Sequence, residues 1–333
     1  MNKQAKLLLS GLALLGTQAL IPQAQAADLL GRWDLDGDGT PESVFRESGK
    51  IQVKSAGGSL LRTYDLGNTT WELRFAANTD SRPGAELIVK AGPDLAIISM
   101  VENAVRKYPV GNKVWNVVGT AQLDNNPGEE VIALTGAEAI IVSHHLKEQV
   151  TLSDFMVGGW HYYGPFNIGG LPYGTLSFTT GNGILLYDFQ TRLKRTTFTN
   201  GATATIAAAE VNGVPGNELI ARDNNDLIIY TGTVAAGQFQ NYTQGSGSNW
   251  ATYAGFVDTN GKPGADVIIN KLDRITILHP ADNTQKDYPI NSTEYSILSV
   301  SDQDGQPGAE ITLIDKSNRT YVINDRLGTI QPL

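Results

Sequence analysis

A nine-residue loop recurs seven times along the chain, and it constrains the fold more than any other feature of the sequence. The clearest copy occupies residues 34–42 and the most regular copy occupies residues 302–310. Successive copies are 44, 44, 45, 43, 48 and 44 residues apart, counted between their ninth residues, which are Glu42, Glu86, Glu130, Thr175, Glu218, Asp266 and Glu310. A nearly constant period in the forties is typical of propeller blades or of repeated helical pairs.

Short apolar, branched runs surround the loops and indicate β-strands. In the second repeat, residues 87–89 follow the loop, residues 90–93 form a turn and residues 95–98 make a second run, which is the pattern of a β-hairpin. A more polar run follows, and a strand rich in small residues precedes each loop. Four strands in each of seven repeats predict an all-β fold, a seven-bladed β-propeller of four-stranded antiparallel blades, rather than an irregular sandwich.

The first loop has the strongest chemical signal, and we expect it to bind calcium. Asp34, Asp36, Asp38 and Glu42 stand at positions 1, 3, 5 and 9, and Thr40 at position 7 offers its backbone carbonyl. Four carboxylates in nine residues repel one another without a cation, and an all-oxygen set of donors with this spacing suits Ca²⁺. The alternative is an exposed acidic turn that binds no metal.

The other loops keep fewer acids. Five of them have Pro-Gly at positions 6 and 7, which favours a type II turn that holds the loop without metal. The fourth loop, residues 167–175, has no acid at all, and either repeat drift or a specialised binding blade explains it. We expect weaker calcium sites in the seventh and sixth loops, with the ligands Asp302, Asp304 and Glu310, and Asp258, Asn260 and Asp266.

The pattern Asp-x-Asp-x-Asp-Gly-x-x-[Asp/Glu] between two propeller strands resembles the FG-GAP/VCBS repeats of integrin-α-like β-propellers. The repeat covers essentially the whole chain after residue 26, but only the first loop has the full acidic pattern. The resemblance implies a propeller in which a calcium loop joins the first and second strands of a blade. It implies little about the ligand, because one fold hosts many functions.

Aromatic residues recur in register before the loops, where the innermost strand of each blade is expected to begin. Two interpretations remain open. Together with Tyr163, these rings form a rim that binds a sugar or a peptide, because aromatic faces suit flat and partly apolar ligands. Alternatively, the rings wedge between adjacent blades as core. The aromatic residues in register are Trp71, Trp115, Trp160, Trp250 and Tyr295.

Residues 1–26 have the pattern of a cleavable secretory signal, with Lys3 and Lys6 before an apolar stretch and Ala24-Gln-Ala26 at the cleavage site. We therefore expect a secreted or periplasmic protein in which residues 27–333 form a single propeller, without a transmembrane anchor and as a monomer. Removal of the two lysines takes the net charge from −9 to −11, which argues against binding to nucleic acid or to anionic membranes. The chain has no cysteine and therefore no disulfide.

Three classes of function fit these features. The first is an exported, non-catalytic, calcium-binding module that recognises an extracellular or periplasmic glycan or protein. The second is a secreted carbohydrate-active enzyme, a polysaccharide lyase or glycoside hydrolase, that uses scattered acids with His161 or Tyr163. The third is a structural propeller that docks a periplasmic partner. The first is favoured because the candidate residues are spread evenly over the repeats, whereas an active site usually adds long loops at one place.

Overall fold

The computed structural model describes residues 27–67, 69–153, 160–180, 183–198, 204–223, 226–244, 250–252, 255–290 and 294–333. The predicted secretory signal, residues 1–26, lies outside these described residues. The secondary structure that is described consists of strands and turns. It therefore includes no helix of the length and apolar character that a membrane span requires.

Seven antiparallel sheets of four strands form a seven-bladed β-propeller and confirm the predicted fold class. Each blade is built from four strands that are consecutive in the sequence, including the first and the last blade. In blades one to four the strands are β1 Asp28–Trp33, β2 Glu42–Glu47, β3 Lys50–Lys54, β4 Leu60–Tyr64, β5 Trp71–Ala77, β6 Glu86–Ala91, β7 Asp94–Ser99, β8 Ala104–Pro109, β9 Trp115–Ala121, β10 Glu130–Thr135, β11 Ala139–Ser143, β12 Glu148–Leu152, β13 Trp160–Phe166, β14 Thr175–Thr180, β15 Gly183–Asp188 and β16 Leu193–Phe198.

The last three blades repeat the same order, with one short innermost strand in the sixth blade. Their strands are β17 Ala204–Ala209, β18 Glu218–Arg222, β19 Asp226–Thr231, β20 Gln238–Thr243, β21 Trp250–Thr252, β22 Val267–Lys271, β23 Arg274–His279, β24 Thr284–Pro289, β25 Tyr295–Ser301, β26 Glu310–Asp315, β27 Thr320–Asn324 and β28 Thr329–Pro332. The nine-residue loop joins the first and second strands of each blade, as predicted.

The chain divides into two compact units by the proximity of its Cα atoms. One unit consists of residues up to Asp34 together with Gly39–Gly67, and it contains strands β1 to β4. The other consists of Leu35–Asp38 and Asn68–Leu333, and it contains the other six blades.

Within the second unit, the hydrophobic core is divided among the junctions between consecutive blades. Strand β10 illustrates how a strand between two blades is packed on both of its faces. Alternate residues of a strand face opposite sides of the sheet. Val131 and Ala133 therefore pack with residues of the second blade, and Ile132 packs with residues of the fourth blade. Similar clusters fill the next three junctions along the chain. A strand that is buried on both faces needs apolar residues at every position.

The innermost strands of six blades carry a β-bulge at the same place. The pairing register between the first and second strands shifts there, so that one residue of the first strand has no opposite partner. In the fourth blade the break lies between Tyr162 and Gly164, which leaves Tyr163 as the bulged residue. Bulges bend a strand and redirect a side chain, so this recurring position distinguishes Tyr163 from the paired residues beside it.

Candidate functional site

The ninth residue of the loop is buried and closes the loop on itself. In five loops of the second unit, its carboxylate accepts the backbone N–H of the second loop residue at 2.7–2.9 Å. Burial raises the pKa of Glu86 and of Glu218 and raises the pKa of Glu130 to about 7. An acid at position 9 therefore has a structural role that requires no metal. The five donors are Thr79, Leu123, Val211, Thr259 and Gln303.

The third side chain of the loop fixes a second turn. In six loops it accepts the backbone N–H of the fifth loop residue at 2.7–3.2 Å, the geometry of an Asx-turn. Asp and Asn serve equally well in this role, because each offers a side-chain oxygen two residues before the donor. The accepting residues are Asp36, Asp80, Asp124, Asn212, Asn260 and Asp304.

Neighbouring loops of the second unit are also in backbone contact. In the seventh loop, the Ala309 N–H donates to the carbonyl of Asp258 in the sixth loop at 2.8 Å, and equivalent bonds join three other pairs of loops. Gly308 has a φ of +104°, and a Cβ on it would lie 2.9 Å from the carbonyl oxygen of Thr259 and 3.0 Å from the nitrogen of Gly261. Glycine at position 7 therefore provides a positive φ and also the space that the neighbouring loop occupies.

The first loop keeps three of its four acids at or near the surface, and the fourth, Glu42, is buried. Asp34 Oδ2 accepts the backbone N–H of Gly39 at 3.0 Å. One oxygen of Asp34 lies within 4.8 Å of one oxygen of the buried Glu42. These carboxylate oxygens belong to the donor class that Ca²⁺ prefers, so the residues fit that ion. The other three predicted ligands are exposed, and they are Asp36, Asp38 and Thr40.

The seventh loop also brings its three predicted ligands together. One oxygen each of Asp302, Asp304 and Glu310 lies within 4.8 Å of the other two. Two cationic or amide donors already reach these oxygens. Arg326 Nη2 lies 3.2 Å from Asp304 Oδ2, and Asn324 Nδ2 donates to Glu310 Oε1 at 2.9 Å. A cation in this loop would therefore compete with Arg326 for Asp304, which ranks this loop below the first as a calcium site.

The sixth loop differs from the others because its ninth residue meets a histidine. Asp258 accepts the backbone N–H of Asn260 at 3.0 Å and belongs to the turn. Asp266 Oδ1 lies 2.8 Å from His279 Nδ1, and His279 Nε2 lies 3.3 Å from Asp325 Oδ2. The three side chains Asp266, His279 and Asp325 are all buried. Asp266 was predicted from the sequence as a calcium ligand, whereas its partners His279 and Asp325 were not predicted.

Electrostatics at this cluster favour a positive charge on the imidazole. Burial opposes that charge, but Asp266 and Asp325 outweigh burial and raise the pKa of His279 to about 9. For Asp325, burial favours the neutral form, yet His279 and Tyr288 hold the carboxyl pKa below its usual value. His279 Nε2 lies 3.3 Å from Asp325 Oδ2 but has no partner in hydrogen-bond geometry.

The aromatic residues each begin an innermost strand, as predicted, and most of them are core. Trp71, Trp115 and Trp250 are buried. Trp115 Nε1 donates to the carbonyl of Gly92, in the hairpin turn of the preceding blade, at 3.2 Å. This arrangement supports the interpretation that these rings wedge between blades.

Two of the five aromatic residues in register keep partial exposure. Trp160 packs edge-on against Phe178 with ring centroids 5.6 Å apart, and its Nε1 donates to the carbonyl of Gly136 at 3.3 Å. Tyr295 donates its hydroxyl to backbone carbonyls of the preceding blade. The bulged Tyr163 is also partly exposed, and His161 beside it is exposed. Strand β13 therefore presents more accessible aromatic surface than the strands that begin with Trp71, Trp115 or Trp250.

The acid-free fourth loop is held by backbone contacts instead of carboxylates. The N–H of Gly169 donates to the carbonyl of Asn217 at 2.9 Å, and Ile168 forms a parallel bridge with the same residue. Ile168 is buried in the cluster between the fourth and fifth blades. Packing with the neighbouring loop is thus sufficient to hold this loop in place.

A second buried histidine was also not identified from the sequence. His144 follows β11, is buried, and has its Nδ1 3.0 Å from the hydroxyl of Tyr108. Burial lowers the pKa of His144. Both His144 and His279 lie at or just after the end of a third strand. That recurring position, rather than the nine-residue loop, was the signal that could have identified them.

No protein-family model matches the sequence, and no curated protein sequence matches it either. Solved structures with similar folds include an Agrocybe aegerita lectin described as recognising non-reducing terminal N-acetylglucosamine, at 13% identity and a TM-score of 0.38 over 93% of this chain and 90% of the lectin. Apo AztD from Citrobacter koseri is similar at 13% identity and a TM-score of 0.36 over 91% of this chain and 81% of AztD. The WD40 domain of SCAP from fission yeast is similar at 8% identity and a TM-score of 0.36, over 80% and 75% of the two chains. The seven four-stranded sheets, rather than these distant likenesses, identify the fold.

Proposed function

We propose that the chain is an exported, non-catalytic, calcium-binding β-propeller that recognises a glycan or a protein ligand. One observation carries the ligand-binding part of this proposal. Trp160 and Tyr163 keep accessible surface on β13, next to the exposed His161, whereas Trp71 and Trp115 are buried at the start of their strands. Partly exposed aromatic faces suit a sugar ring or an apolar side chain of a protein.

The first loop is the proposed calcium site. Its four acidic side chains and its all-oxygen donors suit Ca²⁺, and such an ion would offset the repulsion among Asp34, Asp36, Asp38 and Glu42. The weaker sites that we propose in the seventh and sixth loops are opposed by Arg326 and by His279, which already approach the same carboxylates. We therefore expect calcium to stiffen the first loop rather than to take part in chemistry.

The enzyme alternative requires acidic groups that face a substrate. Among the described residues, the carboxyls whose pKa is raised are Glu86, Glu130 and Glu218. Each of them is buried and bonded to its own loop, so we assign them to loop closure. A glycoside hydrolase needs two carboxyl groups on either side of the scissile bond, and these three do not supply such a pair at the surface of β13.

The proposal is tested by electrophoresis of the native protein through gels that contain different polysaccharides, with calcium and with a chelator. We expect one polysaccharide to retard the protein. Trp160→Ala and Tyr163→Ala are each expected to weaken that retardation about tenfold, which corresponds to roughly 1.4 kcal/mol of lost aromatic contact. Phe45→Ala is the matched control, because Phe45 is a partly exposed aromatic residue of another strand, β2.

The alternatives predict different results in the same gels. New chain ends in the retarding polysaccharide would show that the protein is an enzyme rather than a non-catalytic binding module. Retardation that survives both Trp160→Ala and Tyr163→Ala would show that β13 is not the binding surface. Absence of retardation in every gel would direct the search to a protein ligand, captured from envelope extracts by the unmodified chain and not by the two variants.

A further inference from the structure

The sixth and seventh blades depart from the repeat at three positions whose side chains meet in space. The residue at the end of the third strand is small or polar in most blades, as in Ser99, Ser143 and Thr231, but it is His279 in the sixth blade. The residue that directly follows the third strand of the seventh blade is Asp325. The ninth loop residue is Glu in five blades, but it is the shorter Asp266 in the sixth. These three departures form one cluster of buried side chains.

The cluster contains donors that suit a metal ion. One ligand atom from each of Asp266, His279 and Asp325 lies within 4.8 Å of the other two. The 3.3 Å between His279 Nε2 and Asp325 Oδ2 matches the separation of two ligands on one tetrahedral ion, which is about 3.3–3.4 Å for bonds of about 2.0–2.1 Å. Thr259 Oγ1 lies 2.7 Å from Asp266 Oδ2 and 3.0 Å from Asp325 Oδ2, so its hydroxyl holds the two carboxylates in place.

An independent observation points to an occupant. His279 Nε2 is buried without a hydrogen-bond partner, although Asp325 Oδ2 lies only 3.3 Å away. The other ring nitrogen, Nδ1, already meets Asp266 at 2.8 Å. A buried polar atom without a partner is costly. A metal cation that replaces the proton on Nε2 would give both His279 Nε2 and Asp325 Oδ2 a partner.

We propose that Asp266, His279 and Asp325 form a buried site for a divalent first-row transition cation such as Zn²⁺, which joins the sixth blade to the seventh. A nitrogen donor with two carboxylates suits this class of ion, whereas Ca²⁺ prefers oxygen donors alone. The site is independent of the proposed ligand binding and of calcium in the first loop. It would take the place of the weaker calcium site in the sixth loop, because both use Asp266. Its burial indicates a structural ion rather than a catalytic one.

The surroundings leave Asp325 Oδ2 available for the ion. Tyr288 donates its hydroxyl to the other oxygen, Asp325 Oδ1, at 2.5 Å. Lys286 Nζ lies 3.4 Å from the same Oδ1, and its side chain is 44% exposed. Lys286 can therefore move toward solvent when a cation enters, and Tyr288 can continue to orient the carboxylate.

The test uses Co²⁺ and Zn²⁺ with the full chain, purified without a histidine tag and freed of metal by a chelator. We expect about one equivalent of Co²⁺ to bind with the strong visible absorption of a four-coordinate ion, and Zn²⁺ to displace it. His279→Gln and Asp325→Asn are each expected to weaken Zn²⁺ binding at least about 100-fold, because even partners that only orient a ligand are worth 10- to 100-fold. His144→Gln is the matched control, since His144 is also buried after a third strand.

Two results would overturn the proposal. One is Co²⁺ binding that keeps its stoichiometry and spectrum in both His279→Gln and Asp325→Asn, which would place the ion elsewhere. The other is the absence of any visible Co²⁺ band in the wild-type chain, which would leave His279 as a purely ionic bridge. Circular dichroism of each variant distinguishes loss of the metal site from loss of the fold. We also expect that excess Ca²⁺ does not displace the bound Co²⁺.

Discussion

Glu130 has a raised pKa, as many catalytic carboxyls do, but its role is to close its own loop. It is buried, and Leu123 donates its backbone N–H to one carboxylate oxygen at 2.8 Å. Burial, opposed by the backbone donor and assisted by the nearby Asp124, raises the pKa of Glu130 to about 7. A carboxyl with a raised pKa in the folded state favours folding in its protonated form.

This shift gives a stability that depends on pH. The contribution of Glu130 is fully present below the unfolded pKa of about 4.5 and is lost as the pH rises through about 7. The loss is at most about 3 kcal/mol, at about 1.4 kcal/mol for each pKa unit. We expect Glu130→Gln to flatten this pH dependence, so that the variant is more stable than wild type at pH 8 and similar to it below pH 4.5.

Urea unfolding in a chelating buffer at several pH values measures the difference. Glu129→Gln is the control, because it removes a charge from the adjacent residue, which is only partly buried. Parallel curves for wild type and Glu130→Gln across this range would show that folding does not raise the pKa of Glu130.

At the scale of the element, each nine-residue loop is held by its neighbour as well as by its own side chains. The Pro-Gly pair that the sequence presents as a turn signal also lets the seventh loop approach the backbone of the sixth. Gly308 and Gly305 separate these two roles. Both have a positive φ, but a Cβ on Gly308 would meet Thr259 and Gly261, whereas a Cβ on Gly305 would meet nothing within 4 Å.

Alanine substitutions at these two glycines are therefore expected to differ. Gly305→Ala carries only the cost of a left-handed conformation, about 1–2 kcal/mol. Gly308→Ala adds overpacking against backbone atoms, which typically costs a further 1–3 kcal/mol. Urea unfolding of both variants in chelator measures the free energies of unfolding, and equal destabilisation would contradict the close packing between loops.

The same element shows what the sequence could predict and what it could not. The nearly constant spacing of the loops and the branched runs around them predicted the seven four-stranded blades, because both signals can be read along the chain. The partnership of Asp266 with His279 and Asp325 was not predicted. Asp325 lies in the next repeat, and contacts between blades follow from packing rather than from spacing along the chain.

Across the whole molecule, the seven loops share similar backbone turns but carry different numbers of acidic residues. Each of them has a turn, a buried side chain or a neighbouring loop that helps to hold it without metal. The first loop alone has acids at positions 1, 3, 5 and 9. The number of calcium ions bound by the chain therefore distinguishes a repeat that binds metal in every blade from one that keeps a single strong site.

Calorimetric titration of the metal-free chain is expected to find about one tight Ca²⁺ equivalent. At 100 times the dissociation constant, this ion would stabilise the fold by about 2.7 kcal/mol and raise the unfolding temperature by several degrees. Asp36→Asn should abolish tight binding, because it removes a carboxylate from the first loop. Asp124→Asn, at the same third position of the third loop, should leave it intact. About seven equivalents, or loss of tight binding in Asp124→Asn, would contradict the single strong site and assign calcium to the repeat as a whole.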